Sequence, residues 1–104
     1  MALFGSVSTS QVDDFARSLV QELSKQCPPA LGQGEKKVSD RKVFSALDRI
    51  FGKARNFRKQ HRLGVFKKAK LANTFRWELK EMGYNAKFIE FATEGLVLSM
   101  TRKE

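Results

Sequence analysis

The chain has 104 residues, 41% of them hydrophobic and 30% charged, with two prolines and a formal charge of +9. That is a globular composition, long enough for one domain and too short for two ordinary ones. A single cysteine excludes an internal disulfide, and no stretch approaches the ~20 apolar residues of a membrane span, so a cytoplasmic chain with no integral membrane contact is the expectation. Met1 to Val7 carries neither a basic n-region nor a long apolar run, so no secretory signal is expected.

Residues 9–26 place Val12, Phe15, Ala16, Leu19, Val20 and Leu23 on one face at a period of 3.6, leaving Asp13, Asp14, Arg17, Glu22 and Lys25 outside it. Ser8 is spaced to cap this helix, with Gln11 as the return partner of a capping box. Val7 and Val12 have the spacing of a hydrophobic staple. Pro28 and Pro29 end the helix, because the residue before a proline disfavours helical backbone. Residues 28–38 contain Pro28-Pro29, two glycines and Glu35-Lys36-Lys37 with no period, and read as the one longer loop, between the first and second helices.

Ser39 is placed to cap a second helix over 40–62, with Asp40 favourable in its first turn. Val43, Phe44, Leu47, Ile50, Phe51, Ala54 and Phe57 form a broad apolar arc that His61 extends. Gly52 costs roughly 1 kcal/mol inside a helix and marks a candidate kink. Leu63-Gly64 reads as the close of this helix, with Gly64 where glycine is favoured just past a C-terminus and Arg62 suited to the last turn. A third helix over 65–82 carries the stripe Leu71, Ala72, Phe75, Leu79 and Met82 and closes at Gly83.

Asn85 is placed to cap a fourth helix over 86–100, in which Phe88, Ile89, Ala92, Leu96 and Met100 share a face that Phe91 and Leu98 widen, leaving 101–104 as a short tail. Being apolar almost all round, this helix is predicted to be the most buried of the four. Leu96 to Met100 also tolerates strand geometry, but no partner strand is visible and a lone strand leaves its backbone unpaired, so helix is preferred. The expected architecture is all-α, a small four-helix bundle.

Catalytic and metal chemistry find little footing. One cysteine and one histidine cannot assemble a zinc site of soft donors, and no other carboxylate or histidine spacing suggests a metal, so neither metal nor cofactor is expected. Cys27 falls at a helix C-terminus, whose dipole raises a thiol pKa, so Cys27 with His61 makes a poor nucleophile and base. His61 reads instead as a boundary histidine on the apolar arc. Asp13 and Asp14 diverge by about 100° as neighbours on a helix. Gly32-Gln33-Gly34 lacks the strand before it and the Gly-Lys-Ser/Thr after it that a phosphate loop needs. The expectation is a chain that binds and does not catalyse.

The charge is concentrated. Residues 35–80 hold fifteen bases and four acids, whereas the flanking segments each carry a net charge of −1. From Arg49 to Trp77 there are ten Lys or Arg and no acid. A solubility face intersperses acids, so this window points to an acidic partner. The candidate contact residues are Lys53, Arg55, Arg58, Lys59 and Arg62 on the second helix, with Phe66, Lys67, Lys70, Arg76 and Trp77 on the third.

On the third helix Phe66, Lys70, Asn73, Trp77 and Lys80 fall in one line off the core stripe. The ordinary expectation packs Trp77 beneath the N-terminal segment and Phe66 into the corner after Gly64. The functional alternative is an exposed platform that stacks bases while lysines reach phosphates. Nucleic acid, DNA or RNA, is the first partner expected. An acidic protein, or a second copy meeting Phe66, Trp77, Phe91 and Leu98, comes next, and an anionic membrane surface last. A helix, tight turn and helix is too common a form to assign a base-reading helix-turn-helix.

Overall fold

The computed structural model describes residues 7–29 and 40–101; the expected Ser39 cap, most of the 28–38 loop, Gly32-Gln33-Gly34 and residues 102–104 lie outside the described residues. Four helices make up nearly all of it: α1 (Thr9–Gln26), α2 (Asp40–His61), α3 (Val65–Met82) and α4 (Ala86–Thr101), with no strand among the described residues. The fold is thus the all-α four-helix bundle, and residues 96–100 are helix.

Local chemistry accounts for the helix ends. At α1 the Gln11 N–H donates to Ser8 Oγ at 3.2 Å while Gln11 Oε1 accepts the Ser8 N–H at 3.0 Å, closing both halves of the capping box. Val7 and Val12 are both buried beside it. At α4 the Asn85 Oδ1 accepts the Phe88 N–H at 2.8 Å. α2 runs through Gly52 as one helix, so the glycine marks no break.

The exits of α2 and α3 use the same motif with different residues. After α3, Gly83 is left-handed (φ 98) and the Tyr84 N–H reaches back to the Leu79 carbonyl at 3.2 Å. After α2 the left-handed residue is Arg62 (φ 50), two short of where Gly64 stands, and the Leu63 N–H reaches the Arg58 carbonyl at 3.1 Å. Gly64 is extended and opens α3 as its N-cap. The reason lies in Leu63: burying that side chain as the second residue past the helix fixes the residue before it as the reversal point.

Contacts set the helix directions. Asp13, Arg17 and Cys27 of the α1 segment meet Thr74, Glu78 and Tyr84, so α1 and α3 lie side by side and run the same way. Glu22 and Phe15 meet Lys53 and Phe57, so α1 and α2 are antiparallel. α4 packs on α3 and α2, while α2 and α3, joined by the shortest link, sit across the bundle from each other. Leu19, Leu23, Leu47, Ile50, Leu71, Phe75, Leu79, Leu96 and Met100 fill the centre.

Two expectations fail here. Phe44 is 57% exposed although it belongs to the apolar arc of α2, and α4, expected to be the most buried helix, leaves Phe91, Val97 and Leu98 at the surface. A corner helix of a bundle meets two neighbours, and an arc wider than those two can cover must turn its margin outward.

Candidate nucleic-acid interface

α3 is held on two sides, and what remains faces out. Lys67, Lys70, Thr74 and Glu78 meet the α1 segment, and Arg76 meets α4. The side away from the core carries Phe66, Asn73, Trp77 and Lys80, with Phe66 77% and Trp77 56% exposed. Phe66 therefore does not fill the corner after Gly64, and the expected cover of Trp77 by the N-terminal segment concerns residues 1–6, which lie outside the described residues. Leu71, Phe75 and Leu79 complete the core without them. Eleven residues are three helical turns plus about 20°, so the two rings face the same way roughly 16 Å apart along the axis. Between and beside them stand Asn73, half-buried Lys70 and Lys80, whose Nζ lies 5.7 Å from the Trp77 ring centroid. Lys80 and Asn73 belong to this surface although the ten contact candidates omit them; the three- and four-residue spacing was their signal.

The cations themselves divide. Lys53 pairs with Glu22, and Lys67 donates to the Val7 carbonyl. Lys70 stands 3.6 Å from Asp13 and Arg76 3.6 Å from Glu90. The window that is acid-free along the chain is thus met in space by acids from α1 and α4. Arg55 and Lys59 are likewise engaged within the molecule. Arg58 is half-buried, and its Nε is buried with no hydrogen-bond partner among the described residues. Arg62 is exposed in the left-handed turn. α2 and α3 pack little on each other, and cations of both helices reach acids of α1, Lys53 at Glu22 and Lys70 at Asp13.

The thiol, phenol and imidazole are placed as follows. Cys27 is buried, and burial pushes its thiol up, with Lys42 pulling the other way. Tyr84 donates its hydroxyl to the Cys27 carbonyl, and burial, then Cys27, raises the phenol as well. His61 tilts against Phe57 with ring centroids 4.5 Å apart, and Phe57 stacks on Phe15 at 3.9 Å. Phe15 lies twelve residues, roughly 18 Å of helix, before Cys27. The geometry does not bring the thiol and the imidazole together. Among the described residues no three His, Cys, Asp or Glu gather into a group able to hold a metal ion, and no helix is long and apolar enough to cross a membrane.

No family model, curated protein or solved structure matches the chain.

Proposed function

We propose that the chain is a non-catalytic binding domain for single-stranded nucleic acid, RNA or DNA, contacted along the outer row of α3 and the turn that precedes it. The observation carrying this reading is the exposure of Phe66 and Trp77, in register on one side of a helix whose core stripe is already complete. An aromatic pair facing solvent beside Lys70 and Lys80 offers π-faces to two bases and cations to the phosphates between them. Arg62 extends the positive field at one end. The first turn of α3 has neither a side-chain cap nor an acid, so its amide N–H groups add to that field.

The internal ion pairs do not oppose this reading. Arg76–Glu90 is a surface pair at 3.6 Å, of the kind worth about 0–1 kcal/mol, which a phosphate displaces at little cost, and the partly buried Asp13 keeps its hydrogen bond from Thr74 when Lys70, 3.6 Å away, turns to a phosphate.

Trp77 is the only tryptophan and so reports on its own row. Titration with single-stranded RNA, single-stranded DNA and duplex, at low and near-physiological salt, is expected to give a saturating, salt-sensitive change that is largest for single strands. A fluorescence response absent at low salt, together with unchanged anisotropy of labelled oligonucleotides, overturns the proposal and turns attention to an acidic protein partner.

A further inference from the structure

A second surface stands apart from the α3 row. Where α2 packs on α4, Phe44 and Phe91 meet edge-on, ring centroids 6.0 Å apart, and both are more than half exposed. They border a groove of about 550 Å³ lined by Arg41, Phe44, Ser45, Leu47, Asp48, Phe51 and Phe91. Two aromatic rings held against each other and still facing solvent make an apolar patch that the described residues leave open.

The charges on this groove identify its occupant. Arg41 and Asp48 are seven residues apart, two helical turns, so they lie on one side of α2 with Phe44 and Ser45 midway between them. Both are exposed, and neither makes an ion pair among the described residues. A base and an acid placed symmetrically about an exposed aromatic are complementary to their own copy turned through 180°. When two α2 helices meet antiparallel about an axis at Phe44/Ser45, Arg41 of each faces Asp48 of the other, twice over, which is the reciprocity a two-fold interface requires. Each Phe44 then packs against the Phe44–Phe91 pair of the opposite copy.

We infer that the chain forms a two-fold homodimer through the Arg41–Phe44–Asp48 face of α2 and Phe91 of α4. Of the expected seam of Phe66, Trp77, Phe91 and Leu98 this interface keeps only Phe91, leaving the rings on α3 free. It is independent of the nucleic-acid reading, since its test contains no nucleic acid.

Sedimentation equilibrium of the full chain is expected to show a monomer–dimer equilibrium. Arg41→Asp sets two carboxylates against each other across the axis, Asp48→Arg sets two guanidinium groups together, and each is expected to weaken the dimer by about tenfold or more. The double variant R41D/D48R restores opposite charges on both sides of the axis and is expected to recover most of that loss. Arg41 stands in the first turn of α2, where an acid favours the helix, so R41D is expected to keep its melting midpoint while it loses the dimer. A monomer up to about 200 μM, a concentration at which even a weak specific dimer with Kd near 100 μM is well populated, overturns the proposal. So does a dimer that either single variant leaves intact or that the double variant fails to rescue.

Discussion

Arg62 adopts a backbone conformation that its side chain disfavours. It occupies a left-handed turn in the same role that Gly83 fills after α3, and a side chain there costs about 1 kcal/mol. Arg62→Gly is expected to stabilise the fold by roughly 0.5–1 kcal/mol, read as a higher midpoint in urea, while weakening oligonucleotide binding and flattening the log-log salt slope by about 0.7. Phe66 and Trp77 allow a second separation. Changing either to Ala is expected to leave thermal stability nearly unmoved but to lose roughly 1–3 kcal/mol of single-strand binding per ring, whereas Phe75→Ala, in the core, costs about 3–5 kcal/mol of folding. Cys27 and Tyr84 carry a pH signature. Both are harder to ionise folded than unfolded. Below about pH 8 neither ionises in either state and their contribution is whole; as pH rises the unfolded chain releases these protons first, so stability falls. Melting scans are expected to be flat between about pH 7 and 8 and to decline from about pH 9, with Cys27→Ala/Tyr84→Phe reducing the decline.

At the scale of the helix, two glycines that look alike in sequence behave in opposite ways. A Cβ on Gly52 meets nothing within 4 Å, whereas one on Gly95 comes within 2.5 Å of Phe51 Cζ and 2.6 Å of its Cε2. Gly52→Ala is expected to stabilise by about 0.5–1 kcal/mol through helix propensity alone. Gly95→Ala gains the same propensity but must push the Phe51 ring out of the α2–α4 contact, and a net loss of roughly 1–2 kcal/mol is expected in the same denaturation assay. The helices themselves were legible because their ends are written in short-range chemistry: Ser8 with Gln11, Asn85, and Gly83 each act within four residues. The end of α2 was misread for the same reason. Gly64 resembles a terminator, and only the burial of Leu63, a long-range fact, moves the turn to Arg62.

For the molecule as a whole, helical periodicity says which face of a helix is apolar but not which neighbour covers it. Nothing in the pattern of α2 separates Leu47, which is buried, from Phe44, which is not, until α4 takes its place beside them. The same gap hid the division of the basic residues, since a short link between α2 and α3 suggests adjacent helices and one shared surface. The separation of an aromatic row on α3 from the Phe44–Phe91 groove on α2 and α4 became visible only in three dimensions. If both are used, a dimer carries two α3 rows on one particle, and an oligonucleotide long enough to reach both is expected to bind more tightly than one spanning a single row.

The parallel alignment of α1 with α3 bears on how the chain reaches this arrangement. The hydrogen bond from Thr74 to Asp13 spans 61 residues of chain, and the α1–α3 pair is the most extensively packed in the bundle. Each such contact closes a loop of about sixty residues before its energy is recovered, whereas α3 and α4 meet across a tight turn. High contact order slows an otherwise helical protein. α1 is then expected to dock late: truncating Val12 to Ala should accelerate unfolding and leave the refolding arm of a chevron nearly in place.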